Sequence, residues 1–260
     1  MKACGGELIV PQNFQGLDKL KTLELNDVMF SPDELENLIL SFTQLNELSM
    51  FIKHDIEMLK IHSDSLQCLK INNFKRLHLV APVLHDASFH LFSCQERWGS
   101  GRSLYRKIEK NVQALEIVAK FCTKLTPTST FDHLAKLCLT VMFGDLISEY
   151  ALFCFMEKAK AVESLEIRTI SFQINCPNIW KDGMGRNSKF IFDQLLTVRL
   201  DGFSGTENEL SFLSFILAAS PNLKKMTILK EQLVKSTKAY QKLLELKKLS
   251  SQARIAFVPR

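Results

Sequence analysis

Glycine and proline are scarce, ten and seven in 260 residues, which excludes collagen-like and low-complexity chains. No apolar run approaches the roughly 18 residues that a membrane-spanning helix needs. The longest near-candidate, Phe212 to Ala219, is broken by Ser214. The opening Met1-Lys2-Ala3-Cys4-Gly5-Gly6-Glu7 lacks the apolar stretch of a secretory signal. No Asn-x-Ser/Thr acceptor occurs, and the seven cysteines are odd in number and never fall as C-x-x-C. These absences read as a soluble chain of the cytoplasm or nucleus, its thiols small buried side chains. Catalytic signatures are missing too: no phosphate loop, no G-x-G-x-x-G after a strand, no G-x-S-x-G and no H-E-x-x-H. Gly99-Ser100-Gly101 sits in a polar stretch and reads as a linker.

What is abundant is leucine, 39 residues of the 260, in a chain that is 46% hydrophobic and so has material for a packed core. The net charge of +5 is uneven. Residues 224–260 carry ten Lys/Arg against two Glu, so the preceding 223 residues sum to −3. A nucleic-acid binder spreads its basic residues over the face that meets phosphate. Here they cluster at one end, mostly on a predicted helix, and read as a solvated helix face rather than a site for RNA or acidic lipid.

The leucines repeat. The pattern L-x-x-L-x-L, with other apolar residues allowed, starts at Leu20, Leu45, Leu66, Leu84, Val112, Leu134, Val162, Leu195 and Leu223. Successive starts are 25, 21, 18, 28, 22, 28, 33 and 28 residues apart, and six of these eight spacings fall within the leucine-rich-repeat period of about 20–29. In a strand the last two apolar positions of each motif share a face. Stacked in parallel, such strands make a leucine ladder that no single repeat can bury alone. The expected fold is therefore α/β: a leucine-rich-repeat solenoid, a curved parallel sheet with helices or short strands on its convex side.

The connecting segments fit that unit. Ser31-Pro32-Asp33-Glu34 is a capping box that opens a helix to about Phe42, and Thr206-Glu207-Asn208-Glu209 opens another that stops at Ser220-Pro221. A third helix is expected from Leu146 to Lys158. The 21- and 18-residue spacings leave no room for helices, so Glu57–Ile61 and Arg76–Val80 are expected as short convex-side strands. Residues 93–102 and about 176–187 read as loops. A helix over about 231–249 and a strand from Ala253 to Val258 would cap the last repeat.

Candidate chemistry is thin. His85, His90 and Cys94 have spacings that would suit zinc, but no fourth ligand is placed nearby and they read as surface residues. Cys68 and Cys138 lie on strands without a histidine or helix N-terminus to activate them, and read as inert thiols. No catalytic residue, cofactor or metal is expected. The informative surface is the concave sheet face, whose outward positions mix polar residues of both signs with an exposed aromatic. Its expected protein-binding residues are Glu24, Glu47, Phe51, Lys70, His90, Glu116, Lys136, Glu166, Arg168 and Arg199.

The stretch from Val198 through Asp201-Gly202-Phe203-Ser204 to Leu210, running on from Ile216 to Pro221-Asn222-Leu223-Lys224-Lys225-Met226-Thr227-Ile228, resembles the FBD segment of plant F-box/FBD/leucine-rich-repeat proteins. Residues 243–257 look like its closing helix and strand. Pro11-x-x-Phe14-x-Gly16 before Leu20, and Val80-Ala81-Pro82-Val83-Leu84, are typical of that family's repeats. The resemblance covers essentially the whole chain and implies a repeat region over 1–189 and an FBD-like region over 190–260. It also implies a non-enzymatic protein-recognition module, the substrate-binding part of a Skp–cullin–F-box ubiquitin ligase receptor. The N-terminal F-box is absent from the sequence as given, so the Skp adaptor is an expected partner only if a longer product carries one; the protein target is unknown. The alternatives are a small-molecule-sensing receptor, or a truncated decoy that binds its target without recruiting the ligase.

Overall fold

Most of the described leucine motifs begin the same way: the first apolar residue closes a tight turn, the N–H of Leu45, Leu84, Leu134, Val162, Leu195 and Leu223 each donating to the carbonyl three residues back. The chain then enters a strand along its predecessor, where one carbonyl accepts two successive N–H groups. Lys21 accepts from Asn46 and Glu47, His85 from Ala135 and Lys136, Glu163 from Leu196 and Thr197, and Leu196 from Lys224 and Lys225. A local turn and a shared acceptor thus set the register of each strand against its neighbour.

The computed structural model describes residues 1–11, 14, 17–53, 56, 58–72, 74, 77–90, 131–171, 178–182, 191–230, 241–242, 245–246 and 252–259. Twelve strands are found among them: β1 (Lys2–Cys4), β2 (Thr22–Asn26), β3 (Glu47–Phe51), β4 (Leu59–His62), β5 (Cys68–Ile71), β6 (Leu77–Val80), β7 (Asp86–His90), β8 (Lys136–Phe143), β9 (Ser164–Ser171), β10 (Thr197–Phe203), β11 (Lys225–Lys230) and β12 (Arg254–Pro259). Ten of them form one open sheet in the order β1-β2-β3-β5-β7-β8-β9-β10-β11-β12. Every pairing is parallel.

The registers align two apolar rows on one face. One runs Leu23, Leu48, Leu69, Ala87, Leu137, Leu165, Val198, Met226, Ile255; the other runs Leu25, Met50, Ile71, Phe89, Leu139, Ile167, Leu200, Ile228, Phe257. All but Phe257 are buried, and Phe257 packs against the core as a partly buried residue. Each large buried side chain contributes about 1.5–3 kcal/mol of transfer free energy, realised only because the adjacent strand supplies its neighbour.

The second layer covers this apolar face. It holds α1 (Pro32–Leu40), the two-stranded parallel pair β4-β6, α2 (Leu146–Lys158), the short α3 (Ile179–Asp182) and α4 (Glu207–Ala219). The expected capping boxes form: Ser31 Oγ accepts from Glu34 N–H at 3.2 Å and Thr206 Oγ1 from Glu209 N–H at 3.3 Å, while each glutamate carboxylate accepts from its cap's N–H. Proline at the first position suits α1, its missing donor being one that the first turn leaves unpaired anyway. The short β4 and β6 replace helices where the repeats are tightest, and an Ile56–Phe74 bridge extends their pairing. Phe14, from the Pro11-x-x-Phe14 motif, stacks edge-on against Phe42 with centroids 6.1 Å apart.

Four expectations change. A strand was not foreseen at Lys2–Cys4, yet β1 pairs with β2. Residues 91–130 lie outside the described residues, and with them the motif at Val112, the expected loop at 93–102 and Glu116; β7 pairs directly with β8, so the place expected for a strand carrying Glu116 between them is filled. The expected loop at about 176–187 contains the helical turn α3, with Trp180 buried and packed on Phe212 at 4.9 Å between centroids. Asn72, expected on the outward face, is buried: its side-chain oxygen accepts from Ile52 N–H at 2.7 Å and its amide donates to Ile52 O at 3.1 Å, pinning the turn after β3. Of the expected helix over 231–249, only residues 241–242 and 245–246 are described, and these are helical; Leu246 among them is buried.

Two carboxylates lie in the layer interface with no exposed surface, Glu149 on α2 and Glu209 on α4. Both reach back to the loop that precedes their helix. Glu209 is fully used, accepting from Ser204 N–H, Ser204 Oγ and Thr206 N–H at 2.8–3.3 Å. In Glu149 one oxygen accepts from Gly144 N–H at 2.6 Å and from Asn208 Nδ2 at 2.7 Å, so Asn208 of α4 ties two neighbouring repeats together. The other oxygen is buried without completing a hydrogen bond, as is the Trp180 indole N–H whose polarity acts on the same carboxyl. Burial outweighs these donors and pushes the Glu149 carboxyl up to about 7 from its ordinary 4.5.

A raised acid contributes its stability below the unfolded pKa and loses it as pH rises through the folded one. Over the window from 4.5 to about 7 the wild type should therefore lose stability relative to Glu149→Gln. The difference should reach about 3 kcal/mol above pH 8. Urea unfolding of both proteins at pH 5 and pH 8 measures it; parallel pH profiles would contradict the assignment.

Candidate protein-recognition surface

Alternation along each strand puts every second residue on the face opposite the core. The strand registers align these residues in three rows. The first runs Thr22, Glu47, Cys68, Asp86, Lys136, Ser164, Thr197, Lys225, Arg254, and the second Lys2, Glu24, Ser49, Lys70, Ser88, Cys138, Glu166, Arg199, Thr227, Ala256. The third includes Cys4, Asn26 and Phe51 at one end and His90, Thr140, Arg168, Asp201, Leu229 and Val258 toward the other.

Nine of the ten expected residues take positions on this face. Glu24 accepts from Lys2 Nζ and from Asn26 Nδ2, each at 2.8 Å, and these donors hold its carboxyl below the ordinary value. Glu47 and Lys70 are exposed on β3 and β5. Phe51, at the end of β3, is 54% exposed. His90 ends β7. Lys136 pairs with Asp86 across β8 and β7 at 3.6 Å. Glu116 lies outside the described residues.

The closest grouping is at the other end of the sheet. Glu166 accepts from Arg168 Nε and Nη2, both at 3.3 Å, and lies 4.0 Å from Arg199 Nε on β10. One half-buried carboxylate therefore orients two guanidinium groups that remain about half exposed. Thr197 Oγ1 donates to Ser164 Oγ at 3.0 Å beside them. Phe51 and this cluster are four to five strands apart, roughly 19–24 Å at about 4.8 Å per strand, so they do not form one pocket.

Sequence reasoning missed Lys2, which anchors Glu24, because β1 offers only Ala3 to the ladder and carries no leucine motif. It also undervalued Lys225 and Arg254, which the β11–β12 register sets side by side. The thiols carry no activated chemistry. Burial pushes the Cys68 and Cys138 thiols up, and that of Cys154 up to about 12, away from the thiolate. Among the described residues no group of three or more His, Cys, Asp or Glu is arranged to hold a metal ion, and no helix is long and apolar enough to cross a membrane.

The sheet is open and wholly parallel, with one face buried under the second layer and the other presenting rows of charge. The FBD family matches residues 193–228, which span β10, α4 and most of β11. An F-box/FBD/LRR-repeat protein of Arabidopsis thaliana is 24% identical over 247 residues, covering 88% of this chain and 59% of that protein. No solved structure matches the chain. The chain carries an FBD segment at residues 193–228 and is similar over most of its length to a plant F-box/FBD/LRR-repeat protein. It spans about three fifths of the length of the curated relative it matches.

Proposed function

We propose that the chain is a leucine-rich-repeat solenoid that acts as a non-enzymatic protein-recognition module, the substrate-binding part of a Skp–cullin–F-box ubiquitin ligase receptor. Residues 1–189 form the repeat region, and residues 190–260 form an FBD region that continues and caps it. The observation that carries this reading is the separation of the two sheet faces. One is a continuous apolar ladder under the second layer; the other is mainly polar and charged side chains of both signs, with Phe51 standing out on β3 and Leu229 and Val258 on β11 and β12. A surface of this kind spans many strands and suits an extended protein partner, whose charged rim sets specificity and encounter rate.

Glu24, Glu47, Phe51, Lys70, His90, Lys136, Glu166, Arg168 and Arg199 are the proposed contacts. Glu116 is kept as a candidate outside the described residues. The small-molecule alternative needs a pocket floored by cations. The cavity between β8–β10 and the end of α2 is lined by apolar side chains such as Leu137, Met156, Leu165 and Leu195, and so does not supply one. The Skp adaptor is a partner only through an F-box in a longer product. The test is charge reversal: proteins captured by the wild-type chain should bind Lys70→Glu/Glu166→Lys/Arg199→Glu at least tenfold more weakly, with an unchanged circular dichroism spectrum.

A further inference from the structure

The charge on the open face is not spread evenly along the sheet. Over β1–β8, Lys2, Lys70 and Lys136 meet Glu24, Glu47 and Asp86 and cancel. Over β9–β12, Arg168, Arg199, Lys225 and Arg254 meet only Glu166 and Asp201, leaving two positive charges uncompensated. Arg168, Arg199 and Lys225 step diagonally, each one strand further and one row back, and Arg254 stands beside Lys225. All four are exposed.

Between them the surface is low. Thr227 and Ala256 fill the middle row next to Arg199 with small side chains. Leu229 and Val258, paired in the third row, are apolar residues on an otherwise polar face, and Val258 is 40% exposed. The result is a shallow bay with a cationic side at Lys225 and Arg254, a guanidinium corner at Arg199 and Arg168, and an aliphatic side at Leu229 and Val258.

The geometry points to an extended acidic segment of a protein partner, anchored by one aliphatic side chain, as the occupant of this bay; this rests on the recognition reading above and names the partner's chemistry. The first and third rows are four residues apart along a strand, roughly 13 Å at about 3.3 Å per residue. An extended peptide lying along the strands thus brings a carboxylate to Lys225 and Arg254 when an aliphatic residue about four positions away sits on Leu229 and Val258. A second carboxylate between them meets Arg199, whose guanidinium Glu166 orients without using all its donors. A nucleic-acid strand fits less well, because the diagonal is flanked by Glu166 and Asp201 and the aliphatic pair would face phosphate.

The experiment is selection of a random decapeptide display library on the immobilised 260-residue chain, with a ten-nucleotide oligouridine as competitor. Enriched sequences should carry at least two Asp or Glu and an aliphatic residue about four positions from one of them. Their affinity should fall at least tenfold for Arg199→Glu/Lys225→Glu/Arg254→Glu and at least threefold for Val258→Ser, but stay within twofold for Lys160→Glu, at an exposed position on the turn after α2 and away from this face. Enrichment without acidic bias, no enrichment, or full displacement by oligouridine with no effect of Val258→Ser would overturn the inference. Peptides that lose affinity to Lys70→Glu instead would move the site to the other end of the face, so the recognition reading would stand while this one fell.

Discussion

Gly202→Ala is expected to destabilise the protein by about 3 kcal/mol, the combined effect of a left-handed backbone and a steric overlap. Gly202 sits at φ +84°, where β10 shifts register against β11 between Asp201 and Phe203. The irregularity lets β10 turn toward the helix layer, and Phe203 is fully buried there. A Cβ at this position would lie 2.7 Å from the Thr169 carbonyl oxygen of β9 and 3.2 Å from its hydroxyl. The Thr169 hydroxyl already donates to the Gly202 carbonyl at 2.6 Å, so neither backbone can retreat without breaking that bond. Urea unfolding measures the change; Thr169→Ser, which keeps the hydroxyl, should stay within about 1 kcal/mol of wild type. A loss below about 0.5 kcal/mol in Gly202→Ala would contradict the close approach of the two strands.

Phe89→Ala should cost about 4 kcal/mol, in the range of fully buried aromatic truncations. Phe89 has no exposed surface and stands where the second layer changes from the β4–β6 pair to helix α2. Its ring meets Phe74 at 6.1 Å, Phe131 at 6.3 Å and Phe155 at 4.8 Å between centroids. Those three rings come from the strand-pair region, the turn before β8 and the face of α2, so one side chain joins a strand-backed repeat to a helix-backed one. Phe89→Leu keeps most of the volume and should lose about half as much. Both are read from denaturant midpoints, and a loss below about 0.5 kcal/mol in Phe89→Leu would show that the aromatic contacts add nothing to simple burial.

The features legible in the sequence were those set by neighbours along the chain. The capping boxes at Ser31 and Thr206, the bounds of Leu146–Lys158 and the short strands at 59–62 and 77–80 all depend on residues within one turn or one strand. Strand partnership is different. The motif at Val112 satisfies the apolar spacing as well as that at Leu134, and nothing in the spacing says that the strand which Leu134 opens is the one paired with β7. Lys2–Cys4 failed the pattern because an edge strand needs little apolar side chain of its own, and Ala3 suffices when β2 supplies the hydrogen bonds. The burial of Glu149 and Asn72 was illegible because a polar residue inside the fold is known only by its partners, and these lie up to 59 residues away, as Asn208 does from Glu149.

For the candidate face, the alternation of positions along each strand was legible in the sequence, but the grouping of side chains across strands was not. The cluster of Arg168, Glu166 and Arg199 exists because β9 and β10 pair residue 166 with 199, a register that spacing alone does not fix. The same register makes the open face a continuous surface rather than a set of loops.

Its role in partner recognition is tested most directly by comparing two charge-reversed chains for the same captured proteins. One is Lys70→Glu/Glu166→Lys/Arg199→Glu on the open face; the other is Glu157→Lys/Lys160→Glu at exposed positions on α2 and the turn after it, away from that face. Binding at least tenfold weaker for the first and unchanged for the second is the predicted result. Undiminished binding to the open-face variant, with both proteins folded, would place recognition elsewhere and contradict the proposal.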